Sequence, residues 1–139
     1  MQLKSIVDAA DARSALDAAL AAAAQAGLAM SVAVVDAGGY LIALQRMDGA
    51  GLLTADVAAR KARTAALLRA PSRVLAERVP ADPSLLALGD YLPMAGGLPI
   101  VVDGAVAGAI GVSGGNPEQD ERIGNAGIAA LAPGPRDGD

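Results

Sequence analysis

An α+β fold, with an antiparallel sheet built from two hairpins and helices flanking both of its faces, is what this sequence predicts. Three observations lead there. Two pairs of short branched-apolar runs, at 30–47 and 98–113, are each joined by tight-turn residues. Helix-compatible stretches precede, separate and follow those pairs. No linker and no solenoid-type repeat divides the chain, so residues 1–132 are expected to form one domain, with 133–139 a disordered tail.

The first helix is expected to start near Ser5 and Asp8, which resemble a capping box. Ile6, Ala9, Ala10, Leu16, Leu20 and Ala23 then mark one helical stripe, and Gly27 suits the stop. MSVAVVD (30–36) and YLIALQRM (40–47) flank Ala37, Gly38 and Gly39, a hairpin whose glycines supply positive φ. Both faces of each strand are mostly apolar, so the sheet should be covered on both sides. A second helix is expected over 52–69, closed by Pro71, and Ser72 should cap a short third helix over 73–79. Pro80, Pro83, Gly89, Pro93 and Gly96–Gly97 mark a long crossing, a kind of segment that is often functional. LPIVV (98–102) and AVAGAIGVS (105–113) form the second hairpin around Asp103–Gly104. Asn116, Pro117 and Gln119 supply an N-cap, an N1 proline and a capping-box partner for a last helix reaching about Leu131.

Composition narrows the chemistry. Hydrophobic residues make up 53% of the 139, yet Phe and Trp are absent and there are only two Tyr. The core must therefore be aliphatic, with closely spaced layers. A charged fraction of only 19% suggests apolar surface hidden in a homo-oligomer, a dimer or larger. The net charge of −4 argues against a nucleic-acid partner, and the cluster Arg60, Lys61, Arg63, Arg69 and Arg73 reads mostly as a solvated helix face. With no Cys and no His, neither a usual zinc site nor a histidine-based mechanism is possible. The acids of MQLKSIVDAAD do not suit a signal peptide, and Gln25 interrupts the longest apolar run, so no membrane partner is expected and the location should be cytoplasmic.

Three features could carry chemistry. On the strand from residue 40, Tyr40, Ile42, Leu44, Arg46 and Asp48 share one parity, so Arg46 and Asp48 either dress a turn or form the charged rim of a pocket. Lys61 sits on the small-residue side of its helix, beside Ala58, Ala62 and Ala65. It either snorkels outward or places its ammonium at the buried layer, where Asp36 or Asp48 would be its carboxylate. Ala105, Ala107, Ala109, Gly111 and Ser113 make a face without bulk, open to a packed helix or a flat ligand. The acids Glu118, Asp120 and Glu121 complement the last helix's dipole and argue against phosphate at SGGN.

Taken together, VAVVDAGG, RMDGA, KARTA, GGLPIVVDGAVAGAIGVSGG, QDE and AGIAAL, in that order from about residue 5 to 131, resemble the GlcG/HbpS family. This family is also known as the haem-binding or domain-of-unknown-function-336 family, and is related to the C-terminal domain of PduO-type corrinoid adenosyltransferases. The resemblance implies a profilin-like sheet between helices, assembly into dimers or rings, and binding of haem or another tetrapyrrole. Members often carry His after the first Gly-Gly, where this chain has Tyr40, so the usual iron donor is missing. Tyr40, Met30, Met47 and Met94 are the formal substitutes.

Two functions follow, with a purely structural or signalling assembly unit as a third. One is a small-molecule binding module, for haem or another planar ligand, lined by Tyr40, Arg46, Asp48, Lys61, Gly96, Gly97 and Ser113. The other is a cofactor-independent isomerase, cyclase or lyase of a small carbonyl compound. There Asp36 or Asp48 would be the base, Lys61 or Tyr40 the acid and Arg46 the oxyanion partner.

Overall fold

The computed structural model describes residues 1–131, so the expected tail at 133–139 lies outside the described residues. The elements run α1 (Ala9–Gln25), β1 (Ser31–Asp36), β2 (Leu41–Arg46), α2 (Thr54–Leu68), α3 (Arg73–Arg78), a 3-10 turn (Pro83–Leu88), β3 (Gly97–Val102), β4 (Ala105–Ser113) and α4 (Pro117–Ala129). The four strands form one antiparallel sheet in the order β2-β1-β4-β3. Each expected hairpin forms, and β1 and β4 pair in the middle.

The turns follow from local chemistry. Asp103 and Gly104 both take positive φ, 51° and 77°, as a two-residue turn between twisted strands requires. In the first hairpin Asp36 Oδ1 accepts from the N–H of Gly38 at 2.9 Å and of Tyr40 at 3.0 Å. Asp36 is thereby committed to the turn. Asn116 and Gln119 cap α4 reciprocally, each side-chain oxygen accepting from the other's backbone N–H.

Two expected caps are corrected. Asp8, not Ser5, starts α1: Asp8 and Asp11 exchange side-chain to backbone hydrogen bonds, so a short Asp replaces the Glu or Gln of the usual box. Ser72 makes no capping bond to α3. Its hydroxyl instead donates to Met94 O at 2.6 Å and accepts from Gly97 N at 2.8 Å, tying the long crossing to the start of β3.

The sheet divides the core. α1 and α4 cover one face with larger side chains, among them Met30, Val32, Val34, Leu98, Ile110, Val112 and Ile123. On the other face α2 packs Ala58, Ala62, Ala65 and Ala66 against Ala33, Val35 and Ala109. The expected covering of both faces holds for β1 but fails for β2, an edge strand where Leu41 is 56% exposed. In the protomer α2 lies mainly over β4, β1 and β3 and leaves β2 largely bare.

Candidate functional site

Of the small-residue stripe expected on β4, Ala109 and Gly111 receive a helix, whereas Ala107 packs in the opposite core layer with Val7 and Ile100, where the register shifts between Ile100 and Val101. A Cβ on Gly111 would lie 2.6 Å from Ala62 N and closer still to Ala58 O, and one on Gly97 would overlap Lys61 O. The α2 backbone therefore rests directly on the strands, and Lys61 has no room to point straight down. Its chain runs over Gly96, where a Cβ would meet Lys61 Cδ at 3.0 Å and Nζ at 2.9 Å. Glycine at 96 and 97 is a steric requirement of this lysine and its helix.

At the end of that path the ammonium is almost wholly enclosed. Lys61 Nζ donates to Asp120 Oδ2 at 2.9 Å and to Val112 O at 3.0 Å, and the two side chains are 3% and 4% exposed. The other carboxylate oxygen of Asp120 accepts from Gly115 N at 2.9 Å. Burial pushes the Asp120 carboxyl above the usual value, outweighing the hydrogen bonds from Lys61 and Gly115 that favour its ionised form. The pair joins α2, β4 and α4 at one point.

A cavity of about 360 Å³ opens beside it, lined by Lys61, Ala76, Met94, Ala95, Ser113, Gly115, Pro117 and Asp120. Apart from the ion pair and Ser113 its walls are mostly apolar, a make-up typical of small-molecule sites. The α3 and α4 walls are also linked by Arg73 and Glu121, with Nε 3.4 Å from Oε2.

The residues expected to form the site divide into two groups. Lys61, Gly96, Gly97 and Ser113 converge at or under this cavity. Arg46, Asp48, Asp36 and Tyr40 do not. β2 ends at Arg46 and Asp48 sits in the following turn, so the shared strand face on which their pairing depended does not exist. Both are exposed, and no ion pair joins them among the described residues. Tyr40 is 68% exposed beneath the guanidinium of Arg63, 5.5 Å from the ring centroid. The carboxylate of Lys61 is neither Asp36 nor Asp48 but Asp120, one of the acids that complement the dipole of α4. A signal for it was present: the buried positions of α4 are Asp120, Ile123, Gly124 and Gly127, so the acid lies on the inward stripe.

Comparison with known proteins agrees with the fold. Residues 7–129 match the family model described as haem degrading protein HbpS-like. The chain belongs to the HbpS-like family. It is 42% identical to protein GlcG of Escherichia coli (strain K12) over 85 residues, which cover 60% of this chain and less than two thirds, 63%, of GlcG. A crystal structure of a double mutant of Streptomyces reticuli HbpS matches with a TM-score of 0.89 and 38% identity, over 95% of this chain and 91% of that one. The crystal structure of a PduOC–haem complex matches with a TM-score of 0.82 and 30% identity, over 90% and 94% of the two chains.

Proposed function

We propose that this protein binds a small planar ligand, haem being the first to test, in the cavity beside Lys61 and Asp120. The observation carrying this is the similarity to PduOC, which was crystallised as a haem complex. The cavity supports it by joining apolar walls to a buried polar pair.

The donor set can be tested against haem. Among the residue types that hold haem iron, His and Cys are absent from the chain. Met30 is fully buried in the core, and the Met47 sulfur accepts the Met30 N–H at 3.4 Å. Tyr40 faces outward. Met94 lines the cavity and is half-exposed, so its thioether is the donor available there. Ala76, Ala95 and Pro117 would meet the macrocycle by apolar contact. Bound haem would supply an iron centre able to take up electrons or small gases; the chain would hold and shield it. A tetrapyrrole would extend beyond a hollow of about 360 Å³. A second protomer would then cover the remainder.

Hemin titration checks this. The expected result is a saturable Soret shift at one equivalent per protomer, weakened at least tenfold by Ala76→Leu and moved in wavelength by Met94→Leu. No saturable shift would refute haem as the ligand. A shift indifferent to both substitutions would place binding elsewhere.

A further inference from the structure

Lys61 has three N–H donors, and two acceptors, Asp120 Oδ2 and Val112 O, take two of them. The third has no acceptor among the described residues, although the side chain is 97% enclosed and contributes to the cavity wall. Asp120 lines the same wall, and each of its oxygens accepts a single hydrogen bond, leaving lone pairs free. A pair serving only to join α2 to α4 has no need of a ligand-sized hollow beside it, nor of a donor left unused in that hollow's wall.

We infer that Lys61 and Asp120 form an acid–base pair acting on a small carbonyl compound with an acidic α-hydrogen. The third Lys61 N–H holds the carbonyl oxygen, and the Asp120 carboxylate removes the proton from the adjoining carbon. The α C–H bond breaks and its electron pair becomes the C=C bond of an enolate. The C=O π pair moves to the oxygen held by Lys61, and the proton resides on Asp120. Replacement of that proton by one from solvent before its return to the same carbon gives exchange, and its return to another conjugated atom gives an isomer. No oxidant, reductant or co-reactant enters.

Three further features suit this step. The substrate oxygen gains negative charge beside an ammonium fixed by two hydrogen bonds, against largely apolar walls that strengthen such stabilisation. Burial raises the Asp120 carboxyl, which strengthens it as a base. The mostly apolar walls made by Ala76, Met94, Ala95 and Pro117 suit a flat, largely hydrocarbon body, and Ser113 offers one more hydroxyl. This role goes beyond haem binding and uses residues of the chain alone.

The test is α-hydrogen exchange in D₂O, followed by proton NMR, with phenylpyruvate as an anionic probe and 2-indanone as a neutral one. At least one should exchange 10²-fold or more above buffer, saturably, as a placed general base supplies about 10²–10⁴. Asp120→Asn should abolish the acceleration. Ala76→Leu, which narrows the cavity without touching the pair, should abolish it at unchanged Tm, so the test survives if Asp120→Asn fails to fold. The rate should rise with pH through a value above that of an ordinary aspartate, since the base acts ionised. The charged groups that bear on that value are Lys61 from α2, Arg73 from α3 and the neighbouring Glu121 of α4. Buffer-level exchange of both probes, or acceleration retained in Asp120→Asn or Ala76→Leu, overturns the inference. Hemin binding without exchange removes this role alone; exchange without hemin binding removes the haem reading alone.

Discussion

The two faces of the sheet use the same composition in opposite ways. Under α1 and α4 the layer is thick, with Met30, Val32, Val34, Ile110 and Val112 fully buried and packed side chain to side chain. Under α2 the layer is thin, and helix backbone rests on strand backbone at Gly97 and Gly111. A thick layer holds together by burying apolar volume. A thin layer brings carbonyls and N–H groups within reach of one side chain, and there Lys61 finds Val112 O and Asp120. Close packing and buried charge are thus one design on this face, and the cavity lies at its edge.

The largest effect that would break this contrast comes from the charge. Asp120→Asn leaves the Lys61 ammonium enclosed with no anion, and losses of about 3–5 kcal/mol are usual for half of a buried pair. Thermal denaturation should show Tm falling by roughly 10 °C or more. Removing both charges with Lys61→Met and Asp120→Leu should restore most of that loss, because the penalty is the unpaired charge.

Next in size is the layer thickness itself. Gly111→Ala drives a methyl into the α2 backbone, which cannot rotate away, and should cost about 1–3 kcal/mol or more. On the thick face, Gly124→Ala meets Leu98 Cδ1, the end of a flexible side chain, at 3.0 Å, and Ile110 Cγ2 only at ordinary van der Waals distance, 3.6 Å. Alanine also favours the helix by about 1 kcal/mol over glycine, so this change should stay within about 1 kcal/mol of neutral. Equal losses from the two substitutions, measured by urea denaturation, would mean that the faces do not differ in thickness.

Much of this was legible in the sequence, and the reason is local. Asp103–Gly104, Asn116 with Gln119, and the apolar runs specify turns, a cap and strands through interactions a few residues apart. Ala109 and Gly111 in the small-residue stripe of β4 likewise announced close helix packing, whereas Lys61 beside alanines left two outcomes open, an ammonium snorkelling outward or one at the buried layer. What the sequence concealed was pairing across distance. Asp120 lies 59 residues from Lys61 in the chain, and its position in the first turn of α4 gave it a sufficient local explanation as a dipole partner. Arg46 and Asp48 misled in the opposite direction. Their two-residue spacing means a shared face only while the strand continues, and β2 stops at the first of them.

The smallest effect concerns that pair, and it sharpens the contrast from the other side. Arg46 and Asp48 are both exposed, so in the isolated protomer Arg46→Ala and Asp48→Ala should each change stability by no more than about 0.5 kcal/mol. The double variant should be additive within a similar margin, since neither side chain depends on the other for burial. A coupling clearly above about 0.5 kcal/mol would mean that these charges meet after all. Repeating the cycle at several protein concentrations then separates the two ways they could do so. A coupling within the protomer is independent of concentration. One that grows with concentration belongs to a contact between copies, where the bare edge of β2, with Leu41 and Leu44, would be covered and the Arg46–Asp48 corner desolvated along with it.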